Sequence, residues 1–402
     1  MADEPLDLDQ AISLVLARAE PLESEAVPLP RALGRTLAED VVANLPIQPF
    51  DNSAMDGFAV RAADAATPPA RLHVVGESRA GHPAGRSVEP GEAIAISTGA
   101  VLPGGADAVI RAERASRSNG EVTIEASARV GQDIRRAGED LAAGETAIER
   151  GTEVGPAELG VLASLGRAEV RCHRRPRVAV VTSGDELLEP GEPMRPGGVF
   201  DSNSHTIPAL AERAGARVIS VDRVPDDLEA TRDAIEAALR ADVAIACGGV
   251  SVGEHDHVKE GFAWHGVRQV YWRLALKPGG PAWFGSHQHR LGFGLPGNPV
   301  SAMVVFHLLV RPALERLAGA EPRRARTTAV LDEPCARASG RVSALRCGLR
   351  LGEDGWHARP LPRQGSHVLT SMLGADALAL IPPGEGSVTA GERVEVELLE
   401  AR

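Results

Sequence analysis

The sequence predicts a multidomain α/β plus β protein, with a central doubly wound parallel α/β unit between a β-rich stretch and a C-terminal run of short strands. Three observations carry that prediction. Strand and helix patterns alternate from residue 177 to 319, as they do in a parallel sheet with helices on its faces. Short alternating runs between Gly/Pro turns fill residues 46–145 and return after residue 323, the pattern of small β modules. The length of 402 residues also exceeds what one hydrophobic core organises.

In chain order, residues 8–19 place Ile12, Val15, Leu16 and Ala19 on one helical face, with Asp7 or Asp9 as cap. Runs such as Leu72-His73-Val74-Val75 and Glu121-Val122-Thr123-Ile124-Glu125 read as strands. Pro156 suits the first turn of a helix on which Leu159, Leu162 and Ala163 recur. A buried strand follows at 178–182, then a helix opening at Asn203 or Ser204 and running to about 214. A strand at 217–221 leads to a helix after Asp226 and Asp227, both read as caps, and then to strands at 242–247 and 291–294. A long helix spans 299–317, residues 321–326 form a linker, and residues 323–402 make a small barrel or sandwich.

Composition narrows the function classes. Aromatic residues are 3% of the chain, so its cores must be built from Ala, Val, Leu and Ile. The 43 basic and 55 acidic residues leave a net charge of −12, which excludes non-specific binding of nucleic acid or an anionic membrane. Only two basic residues are lysines, Lys259 and Lys277, marking sites where a compact ammonium serves better than a planar guanidinium. The longest apolar run, 300–310, is interrupted by His307 and falls short of the ~18 residues of a membrane span. With an acidic start and no apolar leader, the expectation is a cytoplasmic protein. Cys172, Cys247, Cys335 and Cys347 lack zinc-ligand spacing and read as free thiols, with a Cys335–Cys347 hairpin contact as the alternative.

Three loops follow three of the predicted parallel strands: Thr182-Ser183-Gly184-Asp185-Glu186, Cys247-Gly248-Gly249-Val250-Ser251-Val252-Gly253 and Leu295-Pro296-Gly297-Asn298-Pro299. On one rim, their backbone N–H groups are suited to hold an anion. Gly292-Phe293-Gly294-Leu295-Pro296-Gly297 matches a dinucleotide fingerprint but lacks the second strand with its acidic end. Gly249-Val250-Ser251-Val252-Gly253 matches a nucleophile elbow, yet the polar run 254–260 does not suit the buried helix that follows an elbow. Neither lysine follows a Walker A glycine. Glu186 and Asp256 lie at strand-end loops; if an anionic, phosphate-bearing substrate binds among such carboxylates, a divalent cation such as Mg²⁺ is the natural mediator. His255 and His257 flank Asp256 at a spacing that turns them apart on a helix. The polar cluster Asp51-Asn52-Ser53-Ala54-Met55-Asp56-Gly57 has no packing role, and loops of that kind often hold function.

These segments, together with Thr98-Gly99-Ala100, Gly138-Glu139-Asp140, Lys277-Pro278-Gly279 and Gln364-Gly365-Ser366-His367, occur in an order that resembles the molybdopterin molybdenumtransferase (MoeA) family, which includes the C-terminal domain of gephyrin. The resemblance implies four domains: a discontinuous N-terminal one (1–45 and 146–176), a β-rich inserted domain (46–145), the α/β molybdopterin-binding domain (177–322) and a small C-terminal β-barrel (323–402). It implies a homodimer with a cleft shared between subunits, in which molybdate is inserted into adenylylated molybdopterin and AMP leaves with the help of Mg²⁺. Carried over by position, Asp56, Asp140, Glu186 and Asp256 would be catalytic, with Glu186 and Asp256 also holding the metal. Thr98, Ser251, Arg273, Lys277, Pro296, Pro299, Arg346 and Ser366 would bind substrate. Three departures stand out: Arg273 replaces a lysine of some relatives, Gly280 replaces a second lysine, and Leu345-Arg346-Cys347-Gly348 interrupts the usual Leu-Arg-Gly run. Expected partners are molybdopterin adenylyltransferase and the apoenzymes that accept the cofactor. Two other readings remain at this stage, a molybdopterin adenylyltransferase and a scaffold of the gephyrin type.

Overall fold

The computed structural model describes residues 4–250, 257–322 and 326–399. Helix Leu8–Leu16 is capped by Asp7, whose carboxylate accepts the N–H groups of Asp9 and Gln10, and it buries Leu8, Ala11, Ile12 and Val15. Strand Ser24–Pro28 pairs with Glu169–His173, and Val41–Val42 pairs with Thr146–Ile148. With helix Pro156–Ser164, begun by Pro156 as expected, these strands enclose Val27, Leu37, Val154, Leu162 and Cys172. Between them the chain builds a separate six-stranded sheet around Phe58, Val60, Leu72, Ile110 and Ile124.

The central sheet is the platform for the site. Arg217–Val224, Arg177–Ser183, Val243–Cys247 and Arg290–Leu295 lie parallel in that spatial order, as the alternating pattern predicts. Helices Asn203–Arg213 and Pro299–Val305 cover one face and Leu228–Ala238 and Val258–Trp264 the other, so the three inner strands Arg177–Ser183, Val243–Cys247 and Arg290–Leu295 are buried on both faces, while the edge strand Arg217–Val224 stays half-exposed. The sheet also extends by two antiparallel strands, Trp283–His287 and Arg268–Trp272. Their residues do not alternate cleanly because packing around Trp283 overrides the pattern. Trp283 stacks on Phe262 at 4.7 Å, and a Cβ at Gly292 would come within 2.9 Å of Phe262 and 3.2 Å of Trp283. Gly292 and Gly294 of the dinucleotide-like motif therefore make room for aromatic and valine side chains.

The long helix passes through a wider π turn at Phe306–Val310 before Arg311–Leu317. Pro312 accounts for it: proline lacks an N–H and its ring crowds the carbonyl four residues back, which lies inside that turn.

At the C-terminal end, Val342–Gly352, Gly355–Pro360, Arg326–Leu331, Arg393–Leu398 and Ala377–Ile381 close into a five-stranded barrel, the last strand pairing back with the first. Small side chains such as Ala329, Ala358, Ala377 and Ala379 fill its narrow interior. Cys335 and Cys347 share this core as free thiols, and Cys172 and Cys247 are likewise free and buried. Leu276–Lys277 adds in parallel beside Val342–Gly352, with Lys277 opposite Ser343, and so ties the barrel to the α/β unit. Among the described residues no helix is long and apolar enough to cross a membrane.

Candidate active site

The described parts of the three strand-end loops, 182–186, 247–250 and 295–299, meet on one rim, where ligands of open α/β sheets bind. Gly248 has φ +94°, and a Cβ there would lie 2.6 Å from the Ser183 carbonyl oxygen, so this close approach requires glycine. The Gly248 N–H donates to the Leu295 carbonyl (3.1 Å), and Asn203 Nδ2 donates to the Gly297 carbonyl (2.8 Å). Buried Thr182 Oγ1 donates to Asp201 Oδ2 at 2.7 Å, fixing the start of the first loop.

Asp227 caps its helix through the Ala230 N–H (2.9 Å), but Asp226 does not act as a cap. Lying one position earlier, it faces the neighbouring loop. Its carboxylate accepts from Ser183 Oγ (2.6 Å) and the Asp185 N–H (3.4 Å), and its own N–H donates to Asp185 Oδ1 (3.2 Å). Glu186 is exposed, with its carboxylate folded over Gly184, where a Cβ would come within 2.5 Å of Oε2. Asp185, Glu186 and Asp226 thus put hard oxygen donors on the rim, the type Mg²⁺ takes when substrate oxygens complete its shell. Ser251 and Asp256 lie outside the described residues, and among the described ones no cluster of three or more His, Cys, Asp or Glu forms a metal cage.

Beside the rim, between the α/β unit and the barrel, opens a cleft of about 780 Å³, within the range that holds a drug-sized ligand. Lys277, Pro296, Arg346 and Ser366 all line it, and Asn298 Nδ2 donates to Ser366 Oγ at 3.3 Å across it. Pro299 is the first residue of the helix that starts there. Among the described residues, four cations, Lys277, Arg337, Arg341 and Arg346, line the cleft together with His367, and no carboxylate does. In a chain of net charge −12 this is a local concentration of positive charge facing a cavity.

Arg346 is the sharpest feature. It is fully buried, Nε donates to Ser371 Oγ (3.2 Å), Nη2 donates to the Gly365 carbonyl (3.3 Å), and Nη1 has no hydrogen-bond partner among the described residues. Burial pushes its pKa below the usual arginine value. A buried guanidinium with only neutral partners is costly and calls for an anion. Gln364 fixes its backbone, accepting from the Arg346 N–H (3.0 Å) and donating to the Arg346 carbonyl (2.8 Å).

Arg273 is not among the cleft-lining residues. Its guanidinium lies 4.5 Å from the Trp272 ring centroid, and the Lys259 ammonium lies 3.7 Å from the same ring. Trp272 Nε1 donates to the Val250 carbonyl (2.9 Å), so this cationic cluster borders the second loop.

The front motifs form a second assembly. The Thr98 N–H donates to Asp56 Oδ1 (2.8 Å), the Gly99 N–H to the Ser53 carbonyl (2.8 Å), and Asn52–Ser53 pairs with Ile134–Arg135. Asp51 accepts from the Ala137 N–H (2.9 Å) and pairs with Arg136 (2.5 Å); the backbone bond, then the guanidinium, hold its carboxyl below the usual range. Gly57 is obligatory, since a Cβ would meet the Ile110 carbonyl oxygen at 1.9 Å. Asp56, Thr98 and Asp140 are exposed on this assembly. Its hydrogen bonds join it to its own sheet and loops rather than to the cleft of the same chain.

Sequence reasoning missed Asp226 as a rim residue and Arg337 and Arg341 as cleft residues. Arginine is so frequent in this chain that neither of these arginines stands out, and only the closure of the barrel brings them to the cleft.

Comparison with known proteins bears on the whole chain. Family models match in order: "MoeA N-terminal region (domain I and II)" at residues 6–166, "Probable molybdopterin binding domain" at 179–316 and "MoeA C-terminal region (domain IV)" at 328–399. The chain is 37% identical to a molybdopterin molybdenumtransferase of Haemophilus influenzae, covering 98% of each chain. It is 32% identical to a protein of that name from Bacillus subtilis, covering 98% of this chain and 94% of that one. The crystal structure of a molybdopterin biosynthesis MoeA protein from Pyrococcus horikoshii superposes with a TM-score of 0.86 at 32% identity, over 99% of this chain and 100% of that one.

Proposed function

Because the chain belongs to the MoeA family of molybdopterin molybdenumtransferases, we propose that it inserts molybdate into adenylylated molybdopterin and releases AMP, producing molybdenum cofactor. The observation that carries this reading is the cleft lined, among the described residues, by four cations and no carboxylate, one of the four being buried Arg346, whose Nη1 has no partner there.

Each group then has work suited to its chemistry. Arg346, Lys277, Ser366 and the Pro296–Pro299 loop hold the molybdate dianion, the guanidinium and ammonium supplying charge where backbone and hydroxyl donors supply direction. Thr98, Ser251 and Arg273 hold the nucleotide side of the substrate. Glu186 and Asp256 would hold Mg²⁺, with Asp226 fastening the loop beneath Glu186. The ion, when bound, supplies positive charge to the phosphate that leaves with AMP. Asp56 and Asp140 orient the attacking oxygen. The separateness of their assembly from the cleft supports a homodimer in which a second copy brings its front loops to the first copy's rim. The proposal takes the four-part division 1–45 with 146–176, 46–145, 177–322 and 323–402, in the cytoplasm, with molybdopterin adenylyltransferase upstream and apoenzymes downstream.

Expression in a strain lacking its own insertase tests this reading. Molybdoenzyme activity is expected to return with the wild-type chain and not with Glu186→Ala. Failure of the wild type to rescue, alongside capture of a stable stoichiometric protein partner, would favour the scaffold reading.

A further inference from the structure

Arg337 and Arg341 are the cleft cations for which the proposed reaction has assigned no task. They sit on the barrel side, on the loop leading into strand Val342–Gly352. That loop is held by the Ala338–Arg341 bridge, by the Arg337 N–H donating to the Gly386 carbonyl (2.9 Å) and by the Gly384 N–H donating to the Ala338 carbonyl (3.1 Å). Among the described residues, Arg337 Nη1 donates to the Pro382 carbonyl at 3.5 Å and its charge acts on the Glu392 carboxylate, with no side-chain ion pair between them, and Arg341 makes no side-chain hydrogen bond or ion pair. The parallel register sets Lys277 opposite Ser343, and the Val342 N–H donates to the Ala275 carbonyl (2.8 Å), so Arg341 and Lys277 flank the same seam between barrel and α/β unit.

We propose that Arg337 and Arg341 form a second oxyanion subsite, which takes the diphosphate arm of the adenylylated pterin while Lys277 and Arg346 hold molybdate. The proposal rests on the insertase reading above and adds to it the contact that orients the larger substrate. Size argues for two subsites, since a cleft of about 780 Å³ holds far more than one tetrahedral oxyanion. Burial argues for the division of labour. Arg346 is enclosed and fixed by neutral partners, suited to a small ion that enters alone, whereas Arg341 is exposed at the mouth, suited to a group on a molecule that projects out of the cleft. Two guanidinium forks also match the paired, multi-oxygen face of a diphosphate better than a single ammonium does.

Calorimetric titration of the full-length protein with pyrophosphate, AMP and molybdate separately, in metal-free buffer, tests the proposal. The double variant Arg337→Gln, Arg341→Gln is expected to weaken pyrophosphate binding by about tenfold or more and to leave molybdate binding within about twofold. Arg346→Gln is expected to do the reverse. Weakened AMP binding in the double variant would place the contact on the nucleotide-side phosphate; unchanged AMP binding would place it on the pterin side, and both agree with the subsite. Unchanged pyrophosphate affinity, or equal loss of pyrophosphate and molybdate, would overturn the subsite and leave the insertase reading standing. A wild-type protein that binds neither anion would overturn both. Circular dichroism and melting of the double variant control for folding, which the exposure of Arg341 favours.

Discussion

Arg346→Met is expected to abolish molybdate-dependent turnover while leaving the protein at least as stable as the wild type. The two effects have opposite signs for one physical reason. Without a bound anion, Arg346 is a buried charge whose guanidinium, among the described residues, meets only the Ser371 hydroxyl and the Gly365 carbonyl, with Nη1 unpartnered. Replacing such a group by an apolar side chain of similar length removes the desolvation cost, and changes of this kind are often neutral or stabilising. The same replacement removes the buried half of the ion pair that molybdate would complete. Breaking such a pair costs about 3–5 kcal/mol, which corresponds to a loss in molybdate affinity between roughly 10²-fold and roughly 4 × 10³-fold. Thermal unfolding and a molybdate titration on the same preparation check both halves. Arg346→Lys, which keeps the charge but loses the fork, is expected to fall between the two. Molybdate affinity unchanged in Arg346→Met would remove the site from the barrel side of the cleft.

Asp56→Ala and Glu186→Ala are each expected to be inactive as pure homodimers, with losses of about 10²-fold or more, and to regain activity when the two chains are mixed into heterodimers. The proposed sharing of each cleft between two subunits has this consequence. In a mixed dimer, one cleft combines Glu186 of one chain with Asp56 of the other, both intact, and the second cleft carries both substitutions. About half the wild-type activity per dimer returns if each cleft contains both residues and works alone. Should both residues serve from the same chain, every cleft in the mixture would carry one substitution and nothing would return. The structure favours the first outcome because Asp56 is bound up with Thr98 and its own loops, while Glu186 stands on the rim beside Gly184. Neither substitution disturbs packing, since both side chains are exposed. Tagging the two chains differently and purifying the heterodimer makes the comparison quantitative.

Legibility in the sequence followed the physics of each element. The parallel strands 177–183, 243–247 and 290–295 were readable because burial on both faces demands continuous apolar runs, and their helices because residues such as the cap Asp227 and the first-turn Pro299 punctuate them. The antiparallel pair at 268–272 and 283–287 was not, since its glycines and tryptophans answer to one another across the sheet and not to a local period. Ordered short motifs revealed the rim and most of the cleft, because glycines at close approaches, as at Gly57 and Gly248, leave a local signature. Arg337, Arg341 and the loop-fastening role of Asp226 depend on contacts between segments far apart in the chain, which no spacing rule encodes. Arg346 was placed through resemblance alone, and its lack of a counter-charge became visible only with its neighbours around it.

Release of AMP on addition of molybdate tests the central claim most directly. Purified protein supplied with adenylylated molybdopterin and Mg²⁺ is predicted to release AMP in step with added molybdate and to yield cofactor that activates a molybdenum apoenzyme. No AMP release under those conditions, with adenylylated product formed instead from molybdopterin and MgATP, would contradict the account and assign the chain to the preceding step.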